Sequence, residues 1–297
     1  MSDGAEGTDD DGTADDSVAT DGAGTTAGTA GGFDAPQVGS GGAAAAVRAG
    51  LDAVALKPAE CDVRRGLDVP LEAVAIDYEG PEHVPSASAL ADLAADRDVR
   101  LTTPVRADGY DPLGDDDRLA EIPAGVGRVL VAGHPAYLSE TERSRPVAPR
   151  FAAARRDAPD AWVGTEGVER LALAAGGTQY ELLSRSSERD LAALRAAGFD
   201  GEIAVYAPTV LTDREDAVLD AVGAYAARRK PVARALPDGA ATDASATGRA
   251  REVLSAAVRD YALVGAPETV RDRVDALREA GADVVVGYPA RGIEEFR

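Results

Sequence analysis

The sequence is short of several residue types, and each shortage excludes a class of protein. A single cysteine, Cys61, excludes an internal disulfide and a zinc site built from several thiolates. Aromatic residues make up only 4% of the chain, and no apolar run reaches the roughly 18 residues that a membrane helix needs. The N-terminus has neither the basic nor the apolar region of a signal peptide. We therefore expect a soluble, cytoplasmic protein that does not bind membranes.

The chain is also poor in positive charge. Its formal net charge is -21, and Lys57 and Lys230 are its only lysines. Nucleic acid is not an expected partner, because phosphate binding requires a basic patch. An acidic surface with almost no lysine is typical of intracellular proteins from salt-accumulating halophiles, and an ordinary acidic enzyme from a mesophile is the alternative. The expected partner is a small-molecule substrate, and a homo-oligomer stays open.

Two segments of the chain differ in composition. Residues 1–40 are mainly Asp, Gly, Thr, Ala and Ser. Such a segment cannot bury enough apolar surface to offset its chain entropy, so it is predicted to be a disordered acidic tail. Residues 41–297 are predicted to form one domain, whose length is close to the roughly 250 residues of a TIM barrel.

Eight apolar runs in the second segment predict short strands, and helical patterns lie between most of them. One such helix is predicted over Ser187–Ala196 and ends before Gly198. About 75 residues separate the last two strands, and so long an insertion is a candidate lid. This alternation favours a single α/β TIM (β/α)8 barrel, with an open, doubly wound sheet as the alternative. The predicted strands are Ala53–Leu56, Ala73–Asp77, Arg100–Thr103, Val129–Ala132, Ala161–Gly164, Tyr180–Leu183, Ile203–Tyr206 and Val284–Gly287.

Polar residues follow nearly every predicted strand, where a TIM barrel carries its function. Lys57 follows the first strand and is a candidate for anion binding or for a Schiff base. Asp77 and Glu79 alternate along the chain, so both can face one way and act as acid and base or hold a metal. His134 follows the fourth strand and is a candidate general acid or base. The alternative for each is a structural role, as a surface charge, an ion pair or a loop hydrogen bond.

The sharpest single motif is the run Gly164, Thr165, Glu166 and Gly167, where a predicted strand meets a small-residue turn before a helix. Backbone N–H groups at a helix N-terminus, with a threonine hydroxyl beside them, can bind a phosphate or another anion. The alternative is a plain connecting loop. No H-x-x-H or C-x-x-C spacing occurs, so a transition-metal site is not predicted.

Two stretches of the C-terminal half resemble a known family. They are the run from Ala161 to Leu183, and Val264-Gly-Ala-Pro-Glu-Thr-Val270 followed by Ala280-Gly-Ala-Asp-Val-Val-Val286. The first looks like the central βαβ unit, and the second is similar to the C-terminal signature, of the luciferase-like flavin and deazaflavin oxidoreductases. Gly177-Thr-Gln-Tyr180 departs from the usual strand entry of that family. The resemblance covers roughly residues 155–297.

This resemblance implies a TIM barrel that binds FMN or the deazaflavin coenzyme F-420 at its rim, as in the methylenetetrahydromethanopterin-reductase-like branch. It would place the coenzyme phosphate against the turn at 164–167. His134 and Asp77 would then be acid or base groups near the ring, and Arg106 or Arg185 would bind an anionic part of coenzyme or substrate. The expected function is hydride transfer between the coenzyme and a small substrate.

Two further hypotheses stay open. The N-terminal half is shorter than in the usual family member, which motivates a cofactor-less barrel that binds a ligand or a partner protein. A lyase or aldolase on the same fold would use Lys57 as its Schiff-base nucleophile. The fold alone cannot choose among these functions, because one barrel hosts many chemistries.

Overall fold

The computed structural model of the protein describes residues 43–106, 112–113, 118–132, 138–165 and 169–297. The acidic segment 1–40, predicted to be disordered, lies outside the described residues. Within these ranges the chain forms nine strands and ten α-helices.

Nine strands, all paired in parallel, form one sheet that closes on itself. The strands are β1 (Ala53–Leu56), β2 (Ala73–Ile76), β3 (Asp98–Pro104), β4 (Val126–Ala132), β5 (Trp162–Thr165), β6 (Gln179–Leu182), β7 (Ile203–Val210), β8 (Leu263–Val264) and β9 (Val284–Pro289). Eight of them form the barrel in the order β1-β2-β3-β4-β5-β6-β7-β9, and β9 pairs back onto β1. This closure confirms the predicted TIM barrel and excludes the open, doubly wound sheet.

Ten α-helices lie in the described part of the chain. They are α1 (Ala45–Arg48), α2 (Ala87–Ala94), α3 (Glu140–Arg143), α4 (Val147–Asp157), α5 (Glu169–Ala175), α6 (Ser187–Ala196), α7 (Glu215–Ala227), α8 (Lys230–Ala235), α9 (Gly248–Tyr261) and α10 (Pro267–Ala280). None of these helices combines the length and the apolar character that crossing a membrane requires.

Small residues on one side of the barrel interior make room for large aromatic residues from the other side. Alanines of β1 and β2 alternate with Val, Leu and Ile residues that point outward to the helices. Trp and Tyr side chains of β5, β6 and β7 fill the space opposite them, which gives a packed interior rather than a pore. The buried interior side chains are Ala53, Ala55, Ala75, Val129, Trp162, Tyr180, Ala204, Tyr206 and Val286.

The long insertion after β7 is a helical unit with its own apolar core. Helices α7, α8 and α9 pack on one another around Leu219, Val222 and Leu254, which are all buried. The two-residue strand β8 then pairs with Thr209 and Val210, at the C-terminal end of β7. The insertion therefore attaches at the rim where a lid would have to lie, and its movement as a lid stays a prediction. Helix α10 packs between α6 and α1 and serves as the crossover helix before β9.

Gly223 lets the loop before α9 lie directly against α7. A Cβ atom at this position would overlap the backbone carbonyl oxygen of Thr242, which cannot move without shifting the loop. We expect Gly223→Ala to lower the free energy of unfolding by about 1–3 kcal/mol, as overpacked cores do. Without this overlap the substitution would stabilise the helix by about 1 kcal/mol, so the sign of the change is decisive.

Urea unfolding of the two proteins measures that sign. Ala224→Gly, on the exposed side of the same helix, is the matched control and should cost about 1 kcal/mol through helix propensity alone. A more stable Gly223→Ala variant would show that the loop does not approach α7 so closely.

Candidate functional site

The candidate site is the barrel mouth, which we define as Lys57, Asp77, Tyr180, Tyr206 and Tyr288. Lys57 and Asp77 come one residue after β1 and β2, so the two-residue period of a strand turns them inward like the alanines before them. The three tyrosines lie on β6, β7 and β9 and belong to the interior cluster. The structure thus brings side chains from five strands together at the C-terminal end of the barrel.

Asp77 is the chemically most unusual group of the mouth. Its Oδ2 atom accepts a hydrogen bond of 3.0 Å from the Tyr206 hydroxyl. Burial raises the pKa of Asp77 from 3.8 to about 6; the charge of Lys57 and the Tyr206 hydrogen bond oppose this rise, and the Glu79 and Glu60 carboxylates add to it. A carboxyl that titrates near neutral pH can both give and take a proton, as a general acid–base group must.

Lys57 is held at the mouth by an aromatic ring and a carboxylate. Its Nζ atom lies 4.5 Å from the centre of the Tyr288 ring and 3.6 Å from Glu60 Oε1. The Tyr288 hydroxyl donates to Glu60 Oε2, and burial together with that carboxylate raises the pKa of Tyr288. Lys57 and Asp77 follow the paired strands β1 and β2 at the same level, so the lysine places a positive charge beside Asp77.

Four aromatic rings form a continuous wall below these charges. The ring centres are 5.7 Å apart for Trp162 and Tyr180, 5.9 Å for Tyr180 and Tyr206, and 6.5 Å for Tyr206 and Tyr288. The last two rings are nearly parallel, with 10° between their planes. Sequence reasoning did not select Tyr180 or Trp162 as site residues. The strand period was the available signal, because Tyr180 keeps the inward phase of its strand.

The hydroxyl group of Tyr180 is unusual in having no hydrogen-bond partner among the described residues. The residue is only 7% exposed. Burial raises the pKa of Tyr180 well above its ordinary value, and the nearby Asp77 charge adds to the rise. The group therefore stays protonated and is available as a hydrogen-bond donor inside the mouth.

Other predicted site residues lie elsewhere. Arg106 donates two hydrogen bonds to the fully buried Glu142, of 3.0 and 2.8 Å. Arg185 is exposed after β6 and lines a cavity of about 260 Å³ with residues of α8 and α9. Their roles as anion-binding residues stay predictions.

The predicted phosphate turn is described only in part. Gly164 and Thr165 end β5, whereas Glu166 and Gly167 lie outside the described residues, as does His134. A Cβ atom on Gly164 would lie 3.3 Å from the Tyr180 carbonyl oxygen, so close strand packing is one reason for glycine there. In the described ranges, no group of three or more His, Cys, Asp or Glu side chains is arranged as a metal site.

The C-terminal signature noted in the sequence has a structural task at the opposite end of the barrel. Gly281 ends α10 with a φ of 124°, which favours glycine, and its carbonyl accepts hydrogen bonds of 3.1 and 2.7 Å from Arg195. Asp283 accepts from the same arginine at 2.6 Å and from the Ile203 backbone N–H at 2.7 Å. These bonds join α6, α10, β7 and β9 at the N-terminal ends of the strands, away from the mouth.

Comparisons with known proteins complete the description. The crystal structure of the monooxygenase RslO1 from Streptomyces bottropensis matches with a TM-score of 0.43 and 18% sequence identity, over 77% of this chain and 85% of that one. At that level of likeness, no residue role is transferred from it. Among curated proteins, none matches the chain. The model of a family of unknown function, DUF7388, matches residues 46–296, and the chain belongs to that family.

Proposed function

We propose that the protein is an oxidoreductase of the luciferase-like class, which moves hydride between a flavin or deazaflavin coenzyme and a small substrate at the barrel mouth. The observation that carries the proposal is Asp77, an inward-facing carboxyl with a pKa of about 6, bonded to Tyr206 and beside Lys57. Hydride chemistry at a carbon–heteroatom bond also needs a proton, and this carboxyl can supply or accept it. The choice of coenzyme rests on the resemblance over residues 155–297.

Two features of the mouth fit a coenzyme ring and its substrate. The wall from Trp162 to Tyr288 offers aromatic faces to a flat heteroaromatic ring. The Tyr180 hydroxyl, to which the described part of the chain supplies no partner, offers a donor where a substrate would present oxygen or nitrogen. Binding sites of this kind are mostly apolar with a few convergent polar groups.

Each residue of the mouth has a chemical role that follows from its side chain. The bound coenzyme supplies hydride transfer, which no side chain of the protein can perform. Asp77 holds or moves a proton at its carboxyl group, and Tyr206 orients that group through its hydrogen bond. Lys57 places a positive charge beside developing negative charge, and the aromatic wall keeps water out. The end of β5, with Thr165, would hold the coenzyme phosphate.

A Schiff-base lyase is the second candidate, because Lys57 lies at the mouth beside the acid–base group Asp77. A Schiff-base lysine needs such a neighbour for its proton transfers. Borohydride treatment in the presence of a carbonyl compound would trap this adduct on Lys57 as a stable mass increase. The absence of trapping, together with coenzyme binding, would favour the oxidoreductase.

Coenzyme titration tests the proposal. We expect the wild-type protein to bind FMN or the deazaflavin coenzyme, and Thr165→Val to weaken binding by roughly 1.5–3 kcal/mol, because a hydroxyl bond to a charged phosphate is lost. Thr178→Val is the control, since Thr178 bonds to Glu202 at the opposite end of the barrel. Gly164→Val is a poor probe, because its side chain would press on β6 whether or not coenzyme binds.

Three outcomes separate the hypotheses. Binding that Thr165→Val alone weakens supports both the coenzyme and the phosphate position. Binding that the variant retains in full places the phosphate elsewhere. A wild-type protein that binds neither coenzyme would leave a cofactor-less barrel as the better description.

A further inference from the structure

We propose that Tyr180 recognises the substrate by donating a hydrogen bond to a carbonyl oxygen, so that the substrates are aldehydes or ketones. This inference rests on the proposed function, which supplies the hydride. It adds a residue that the strand-end rule did not select, and it names the class of substrate.

The buried hydroxyl of Tyr180 carries a cost in folding free energy. A buried hydroxyl without a hydrogen bond costs roughly 1–3 kcal/mol, and native proteins contain few such groups. Tyr180 is 7% exposed, and its hydroxyl has no partner in the described ranges. Phenylalanine would fill the same space between Trp162 and Tyr206 without that cost. The hydroxyl is therefore a group whose partner a ligand can supply.

The hydroxyl groups of the two neighbouring tyrosines already have partners. The Tyr206 hydroxyl is used by Asp77, and the Tyr288 hydroxyl is used by Glu60. Of the three tyrosines of the mouth, Tyr180 alone keeps its proton available in the described structure. A hydroxyl with its proton available can donate to a ligand that carries an acceptor atom.

Tyr206 links the Tyr180 donor to the acid. Its hydroxyl bonds to Asp77, and its ring centre lies 5.9 Å from that of Tyr180, on which the charge of Asp77 also acts. Five more groups act on Asp77 or lie beside it: Lys57, Glu60, Glu79, Tyr206 and Tyr288. Lys57 is the cation among them and would stabilise negative charge on a substrate oxygen.

A carbonyl reduction uses these groups with a complete balance. A bound reduced coenzyme would supply hydride, with its two electrons, to the carbonyl carbon, where a C–H bond forms. The π electrons of the C=O bond move to the oxygen, where Tyr180 donates its hydrogen bond. The oxygen then takes the proton of the Asp77 carboxyl group, which becomes a carboxylate and is reprotonated from water. The product is an alcohol, and the coenzyme is oxidised.

Tyr180→Phe tests this assignment with two opposite readouts. We expect the variant to be as stable as the wild type or more stable, because an unsatisfied hydroxyl is removed. We expect its turnover of benzaldehyde and cyclohexanone with reduced coenzyme to fall by about 10- to 100-fold, the effect of one lost donor to a charged oxygen. Coenzyme affinity should change less than about twofold, within the range of a surface substitution. Tyr261→Phe, at a buried tyrosine of α9 outside the mouth, is the control and should leave turnover unchanged.

The outcomes of this test separate the donor role of Tyr180 from the class of substrate and from the proposed function. Full turnover by Tyr180→Phe, or a marked loss of its stability, would overturn the donor role. A wild-type protein that binds coenzyme but reduces neither probe would overturn the carbonyl class and leave the proposed function standing.

A wild-type protein that binds no coenzyme would overturn the proposed function. The donor role of Tyr180 would then be tested by ligand binding in the absence of coenzyme. The fluorescence of Trp162, the only tryptophan, reports directly on the mouth because its ring lies 5.7 Å from that of Tyr180. Weaker binding of cyclohexanone to Tyr180→Phe than to the wild type would support the donor role, and equal binding would overturn it.

Discussion

Asp77→Asn is expected to lower turnover by about 10²- to 10⁴-fold, the usual contribution of a general acid or base. Asparagine keeps the size of the side chain and can still accept the Tyr206 hydrogen bond, so the loss would report the proton rather than the packing. The measurement is kcat between pH 4 and pH 9. The wild type should show a limb near pH 6, where the pKa of Asp77 lies, and the variant should lack it.

Asp238→Asn, at an exposed turn of the insertion, is the control for a lost surface charge. A variant at Asp77 that keeps full activity and the same pH limb would assign the proton transfer to another residue.

Asp77→Asn should raise the folding stability at neutral pH, although it lowers turnover. Because the pKa of Asp77 rises from 3.8 to about 6 on folding, the folded state holds this proton more tightly than the unfolded state. The resulting stability is fully present below about pH 4 and is lost as the pH rises through 6. A tenfold difference in proton affinity between the two states corresponds to about 1.4 kcal/mol, so the buried carboxylate costs the wild type about 3 kcal/mol at pH 7.5.

Urea unfolding at pH 4 and pH 7.5 measures this difference. Asp77→Asn should be more stable than the wild type at pH 7.5, and the two proteins should converge at pH 4. A variant that is less stable at pH 7.5 would mean that the attraction of Lys57 and the Tyr206 bond outweigh the cost of burial.

Glu142→Ala is expected to cost about 3–5 kcal/mol of folding stability, as the removal of one partner from a buried ion pair does. Glu142 is fully buried and receives two hydrogen bonds from Arg106 and one of 2.8 Å from the Ser139 backbone N–H. Arg150 lies close by, and burial lowers its pKa while the Glu142 charge acts in the opposite direction. The substitution would remove the buried carboxylate that Arg106 bonds and whose charge acts on Arg150.

Thermal and urea unfolding of the full chain test this expectation. Glu140→Ala is the matched control, because Glu140 is exposed in the same helix and should cost less than about 1 kcal/mol. A small loss at Glu142 would show that water or other groups reach the two arginines after the substitution.

Local patterns in the sequence were sufficient to predict most of the elements. All eight predicted barrel strands are present, and α6 occupies Ser187–Ala196 as predicted, because apolar period, capping residues and glycine stops act over a few neighbouring residues. The short strand β8 was missed, and β7 runs four residues past its predicted end at Tyr206. Pairing with distant β8 and β9 produces both features, and no local pattern encodes such pairing.

The sequence by itself determined the barrel and the strand ends that carry its polar residues. Only the tertiary structure decided which of these residues meet. Asp77 bonds to Tyr206, 129 positions away, because barrel closure through β1 and β9 brings the inward side chains of β7 and β2 together. Arg106 bonds to the buried Glu142. Asp283, in the C-terminal signature, bonds to Arg195 at the N-terminal end of the barrel strands. Such partners depend on register and closure, which are set by the packing of the whole barrel rather than by neighbours along the chain.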